Sequence, residues 1–295
     1  MATVASIREQ VRNNLFSRYP AEHPFVEISP GFTDVATTFA VVNGENYSYG
    51  DVIENLENGE QLFVNSIATN TLTVTREYHG TTGAASTAGD RLVVNPRITV
   101  QNIDQKVSAV IRDLYTHGVY KVETVSITLD SEAYIYSVEL GDLVKPPGVI
   151  AVYYRDPSYL TPVPIHFRQV SNVHTAVVAA GEGISIDPGS WNASVATAYA
   201  LVATRYADAT ELPVEVEEAV VQGATGKLIG GMIGPMLQDP GHLSNRTVPS
   251  GQPSRDARWF QGEYITTVRR LAAELAAVDY GLGTITLNRA QRFRR

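Results

Sequence analysis

The sequence predicts a mixed α+β protein, a helical bundle of four helices with two inserted antiparallel β domains of small barrel or sandwich type. Two observations predict it. Apolar residues recur at spacings of three and four in four separated stretches, near residues 3–18, 99–117, 212–233 and 255–279. Between the first and second of these, and again between the second and third, the period changes to two, and clusters of Gly, Pro, Asn and Asp break the runs.

The first helix carries Val4, Ile7, Val11 and Leu15 on one face and is ended by Pro20 and Pro24. From Phe32 to Asn95 the chain alternates. Thr37–Val42 runs into Asn43-Gly44, Asp51–Asn55 runs into Asn58-Gly59, and Asn70 turns Gln61–Ile67 into Thr71–Arg76. In Thr71–Arg76, Leu72 and Val74 face inward and the threonines outward. The two Asn-Gly pairs predict two hairpins. A loop rich in Gly, Ala and Thr, Gly80–Gly89, leads to the strand Arg91–Val94. Ile103, Val107, Val110, Ile111 and Leu114 then share a helical face, stopped by Gly118.

Short strands follow to about residue 205, separated by Pro146-Pro147-Gly148, Asp156-Pro157 and Asp187-Pro188-Gly189, and predict a second, sandwich-like sheet domain. Pro213, Glu215, Glu217 and Glu218 suit the first turn of the third helix. Its glycines, among them Gly223, Gly226 and Gly230, each weaken a helix interior by up to about 1 kcal/mol relative to Ala. They predict close packing against another helix or subunit. Ile265, Val268, Leu271, Ala272 and Leu275 line the last helix. The expected domains are therefore 1–29 (first bundle helix), 30–97 (small β domain), 98–118 (second helix), 119–210 (second β domain), 211–284 (C-terminal helices) and 285–295 (basic tail).

Composition excludes whole classes of chemistry. The absence of cysteine removes disulfides, thiolate metal sites and cysteine nucleophiles. No apolar run reaches the roughly 18–20 residues that span a bilayer, and the N-terminal residues do not form a secretion signal, so synthesis in the cytoplasm is expected. The net charge of −8 argues against a general nucleic-acid binder. Arg289, Arg292, Arg294 and Arg295 contribute +4 of it, leaving −12 on the 288 residues before the tail. An acidic body with a basic, Phe293-bearing end predicts docking onto another surface, against the alternative of a solvated end.

Catalytic patterns are missing. Gly223-Ala224-Thr225-Gly226-Lys227-Leu228 approaches a phosphate loop, but Val221 stands where its first Gly belongs and Leu228 where Ser or Thr would hold Mg²⁺. The six histidines show no zinc-ligand spacing, and His117 and His166 are expected to pack or cap. There is no Gly-x-Ser-x-Gly elbow. The expectation is a non-enzymatic protein without cofactor or metal. The 15 tyrosines, Tyr47, Tyr49, Tyr78, Tyr134 and Tyr136 among them, read either as half-buried sheet positions or as interface residues.

Leu62–Ile67 followed by Thr71–Asp90 resembles a strand pair found in many virion proteins of tailed bacteriophages, in which Val-x-Arg-Gly-x-x-Gly-Thr-x-Ala closes the second strand. Here Val74, Arg76, Gly80 and Thr81 keep parts of the pattern, while Glu77 stands where the pattern has Gly. Leu212–Val220, Gly223-Ala224, Lys227-Leu228, Ala257–Phe260 and the long last helix are similar to the C-terminal half of phage head-to-tail connector (adaptor) proteins. This resemblance implies a structural virion protein of the phage neck, forming a homo-oligomeric ring, a dodecamer, that joins the portal protein to other neck or tail proteins. DNA would pass through its lumen without sequence-specific binding and no membrane would be involved. It further implies that a tail such as Arg289–Arg295 docks on the portal. The rival expectation is a tail, baseplate or other non-enzymatic virion structural protein. The hairpin loop after Arg76 is expected to stand off its β domain as a contact surface.

Overall fold

The computed structural model describes residues 3–18, 26–28, 31–96, 98–130, 133–137, 149–155, 167–169, 173–178, 181–186, 197–238 and 251–280. By its contacts the chain divides into two compact units, one made of residues 2–110 and 218–264, the other of residues 111–217 and 265 onward. The fold is mixed α+β, with four helices and antiparallel sheets.

The first unit opens with helix α1 (Val4–Arg18) and holds six strands: β1 (Val26–Glu27), β2 (Thr38–Ala40), β3 (Val52–Asn55), β4 (Gln61–Ala68), β5 (Thr71–Thr75) and β6 (Arg91–Val94). They form one antiparallel sheet in the order β1-β6-β3-β4-β5-β2. No barrel closes. Among the described residues, a single bridge between Ile28 and Val41, just beyond β1 and β2, joins the two edges. The inward face carries Phe39, Ile53, Leu62, Val64, Leu72, Val74 and Leu92, all at most 5% exposed. Leu72 and Val74 are buried while Thr71 and Thr75 are exposed, as the alternation predicts.

Only one of the two Asn-Gly pairs makes a hairpin. Asn58 accepts the Glu60 N–H (2.9 Å) and Gly59 takes φ +79°, which closes β3 onto β4. At Asn43-Gly44 the expected hairpin does not form, because β2 pairs with β5 and β3 with β4 and β6. Asn43 instead accepts the Glu45 N–H (3.0 Å) and starts a 3-10 turn, Gly44–Asn46. Gly44 is needed for close approach rather than for a positive φ: a Cβ there would lie 1.9 Å from the Thr69 carbonyl oxygen.

Helix α2 (Val100–Thr116) buries Val100, Ile103, Val107, Val110, Ile111 and Leu114. It ends in a Schellman motif, with Gly118 N–H on the Tyr115 carbonyl, Val119 N–H on that of Leu114, and Gly118 at φ +82°. The strands of the second unit follow: β7 (Lys121–Thr128), β8 (Ile135–Ser137), β9 (Val149–Arg155), β10 (Phe167–Gln169), β11 (Val173–Val178), β12 (Gly181–Ile186) and β13 (Thr197–Thr204). They form two antiparallel sheets, β10-β9-β13-β7 and β11-β12-β8. The β7–β13 ladder runs from Lys121↔Thr204 to Thr128↔Thr197. Lys121 ties its start to Glu123 (2.7 Å) and Glu211 (2.9 Å), the latter just after β13.

Helix α3 (Val214–Gln238) starts one residue after Pro213, whose carbonyl accepts the Val216 and Glu217 N–H groups, and continues past residue 233 through Gly234 and Pro235. From Ala219 to Ile229 it is buried almost all round, the pattern of a central helix. Helix α4 (Gln252–Tyr280) buries Ala257, Phe260, Tyr264, Val268, Leu271 and Leu275. No described helix is long and apolar enough to cross a membrane.

Two of the three singled-out glycines mark where α3 meets its neighbours in the first unit. A Cβ on Gly223 would lie 2.9 Å from Val110 Cγ1 and 3.0 Å from Tyr264 Cδ2; one on Gly226 would lie 3.2 Å from the Gln261 backbone nitrogen. A Cβ on Gly230 would meet no described atom within 4 Å. Gly223→Val should therefore destabilise the protein by about 1–3 kcal/mol through overpacking. Gly230→Ala should be neutral or stabilise by up to about 1 kcal/mol through helix propensity. Urea unfolding of the two variants checks this: equal midpoint shifts would refute the assignment.

Candidate functional site

Among the described residues, polar chemistry concentrates around the loop that follows β5. Arg76 ends that strand, and all five N–H groups of its guanidinium are used. Nε donates to Glu60 Oε1 (2.6 Å), Nη1 to the carbonyls of Thr33 (2.7 Å) and Ala36 (3.1 Å), and Nη2 to Glu60 Oε2 and the Ala84 carbonyl (2.7 Å). Glu60 also accepts the backbone N–H groups of Glu77 (3.4 Å) and Ala84 (3.2 Å). The pair is 8% and 1% exposed, and the Phe32 ring lies under the guanidinium, 5.2 Å away.

This clasp changes the picture of the loop. Residues 77–90 do not stand off the sheet; they are laced onto it. Gln61 N–H donates to Thr81 Oγ1 (3.0 Å), Asn58 Nδ2 to the Ala85 carbonyl (3.3 Å), and Asn55 Nδ2 to Ser86 Oγ (2.8 Å) and Asp90 (3.1 Å). Phe32 and Ser86 exchange backbone hydrogen bonds, both 2.9 Å. The expectation failed because contacts between loop and sheet that are 20 to 40 residues apart leave no periodic trace.

Within the loop, Glu77 (φ +55°) and His79 (φ +54°) are both left-handed without being glycine. For L-residues this costs roughly 1–2 kcal/mol each. Glu77 stands in a backbone conformation that glycine adopts freely and other residues rarely do. The 3-10 turn Tyr78–Gly80 seats an aromatic row on the outer sheet surface. Ring centroids lie 6.3 Å apart for Tyr49–Phe63, 5.1 Å for Phe63–Tyr78 and 4.1 Å for Tyr78–His79. The tyrosines divide between buried and exposed sheet positions. Tyr47 and Tyr136 are buried, while Tyr49 and Tyr134 are 77% and 63% exposed.

A second polar joint holds α2. Glu54 on β3 is fully buried, and its Oε1 accepts the Val100 N–H (3.0 Å) at the start of the helix and Gln61 Nε2 (3.3 Å). Gln61 Oε1 lies 2.8 Å from His79 Nδ1. Glu54 Oε2 has no hydrogen-bond partner among the described residues. Burial pushes this carboxyl up from 4.5 to about 7, against the Val100 and Gln61 hydrogen bonds and Arg12, which lower it. On the α1 side, Arg8 forms a two-point pair with Asp104 of α2 (both 2.6 Å), and Arg12 donates to the Leu56 carbonyl (3.1 Å).

The other residues singled out by sequence fall as follows. Gly223–Leu228 lies inside α3, so its backbone N–H groups are turned into the helix ladder rather than toward a phosphate. His117 sits just after α2, with Nδ1 2.9 Å from the Asp113 carbonyl, a helix-end position. His166 and the tail residues Arg289, Arg292, Phe293, Arg294 and Arg295 lie outside the described residues. No group of three metal-ligating side chains occurs among the described residues. Arg76, Glu60 and Glu54 were missed as a group. The one available signal was the Arg in the virion-like pattern, which points to a role for Arg76 but names no partner. No protein-family model and no curated protein matches this sequence.

Removing either partner of the clasp strands a buried charge, so Arg76→Met and Glu60→Gln should each cost about 3–5 kcal/mol. The double variant Arg76→Met/Glu60→Gln should lose less than the sum, a coupling measurable by a denaturation double-mutant cycle. Additive losses would disprove the coupling.

Glu54 gives a pH prediction. Its carboxyl is harder to ionise in the folded chain than in the unfolded one. Its stabilising contribution is complete below about 4.5 and is lost as pH rises to about 7, a change of about 3 kcal/mol at most. Glu54→Gln should flatten this fall between pH 5 and 8 and leave the protein more stable than the parent at pH 8. Superimposable stability–pH curves for parent and variant would contradict it.

Proposed function

We propose that this chain is a non-enzymatic structural protein of a tailed-phage virion, an adaptor that forms a ring in the neck, joins the portal to the tail and lets DNA pass. The observation that carries this reading is the Arg76–Glu60 clasp. It fixes the stretch that resembles the virion-protein pattern, Val74–Asp90, as a rigid surface on an antiparallel sheet. A rigid, preorganised surface suits a protein whose work is contact.

Four helices of 15, 17, 25 and 29 residues favour the connector over a β-dominated tail or baseplate component. In this reading they form a bundle from which the β domains emerge. The glycine contacts of α3 with α2 and α4 accord with such a bundle. The expected partners are twelve copies of the chain, the portal, and the neck or tail protein below. The net charge of −8 suits a channel through which DNA slides without sticking.

Mixing the purified chain with the portal protein of the same phage, followed by electron microscopy, tests the reading. Rings that cap the portal are expected, and trimers or fibres would sink it. Deleting Arg289–Arg295 should leave a folded protein that no longer binds portal, read by co-sedimentation; undiminished binding would refute the docking role of the tail.

A further inference from the structure

We propose that two separate patches on the first unit are the two halves of a copy-to-copy contact. The acidic, aromatic surface around Tyr49, Phe63, Tyr78 and Glu77 of one copy receives the face of α4 bearing Arg255, Arg258 and Trp259 of the next. The inference rests on the ring reading above and says which surfaces meet.

The first patch carries an excess of acids. Residues 31–95 contain eight acids, two arginines and no lysine. Both arginines are already engaged, Arg76 with Glu60 and Arg91 with Glu9 and Glu57. With Glu57 and Glu60 matched to these arginines and Glu54 buried, Asp34, Glu45 and Glu77 are the remaining exposed carboxylates of the stretch among the described residues. The aromatic row lies in this acidic surface, with Tyr49 77% exposed. Its backbone is strained at Glu77 and His79 and is held by the clasp, so the surface is built rather than floppy.

The second patch is the outward face of α4. Burial of Ala257, Phe260 and Tyr264 turns Arg255, Arg258 and Trp259 outward. Spacings of three and four place these three on one helix face. Guanidinium groups are the cations best matched to this first patch, since they bind carboxylates in a fork and stack on tyrosine rings. Trp, Tyr and Arg are also the residues that concentrate interface energy.

Charge selects the geometry. Either patch paired with itself would bring like charges together, whereas the two unlike patches attract. Unlike patches on one chain make a head-to-tail contact, which closes into a ring when the rotation permits.

The absence of cysteine makes the test clean. Glu77→Cys and Arg258→Cys each introduce a single thiol, and a short bis-maleimide should join the two variants when they are mixed under ring-forming conditions on the portal. Each variant alone should not cross-link. In parallel, Arg258→Glu, an exposed helix position that leaves the fold intact, should weaken assembly about tenfold, and Glu77→Arg in the same chain should restore it. Rings on the portal without the mixed cross-link, or cross-linking of either variant with itself, would overturn this contact while leaving the ring reading in place. A wild-type chain that forms no ring even with portal would remove both.

Discussion

A guanidinium with all five of its N–H groups spent on protein acceptors is the constraint on which the first unit depends. Arg76 reaches Glu60, two carbonyls before β2 and one in the loop after β5, so it touches three separate parts of the chain. Taking both charges out of water costs several kcal/mol per ion, and the mutual attraction offsets this only if the remaining donors and acceptors are satisfied. Here they are, because the Glu77 and Ala84 N–H groups complete the carboxylate. The consequence is specificity more than raw stability. The arrangement of residues 31–36 and 77–86 satisfies every group of the pair.

The same logic recurs with a less complete outcome where the sheet meets the helices. Glu54 accepts the first N–H of α2, a favourable end of the helix dipole for a carboxylate, yet one of its oxygens is left without a partner. That shortfall is why burial dominates and the carboxyl resists ionisation up to about 7. The Arg76 clasp is thus a fixed joint and the Glu54 joint a conditional one. They are bridged by Gln61, which bonds Glu54 with its side chain and the loop residue Thr81 with its backbone. Loop, sheet and helix start are mechanically continuous across one residue.

Much of this molecule was legible as pattern and little of it as partnership. The stripe Ile7, Val11, Leu15 and the α2 face from Ile103 to Leu114 are buried as their spacing predicts, because helical periodicity is a local property. Gly223 and Gly226 were legible as signs of close approach, though sequence left open whether to a helix or to another subunit, and within the chain they meet α2 and α4. Asn43-Gly44 misled because a hairpin depends on which strand comes back, and β2 is partnered by β5, some 30 residues on. Glu77 concealed a left-handed position behind a residue that rarely adopts one. Glu60, Arg76 and Glu54 look like ordinary surface charges in one dimension; their burial follows from sheet register and loop return, which no window of sequence contains.

The strain at Glu77 and His79 and the clasp beneath them are best understood together. Left-handed L-residues persist only where surrounding contacts over-determine them, and the Glu77 N–H on Glu60 is one such contact. A loop ordered in this way has already lost its conformational freedom before any partner arrives. Association then forgoes the ordering cost of a mobile loop, roughly 0.5–1.5 kcal/mol for each side chain that would otherwise be immobilised. In a closed ring the same contact repeats at every junction, so a saving at one surface is multiplied by the number of copies. A rigid loop over a saturated ion pair would suit such a repeating contact, and the proposed ring would give this polar construction a purpose.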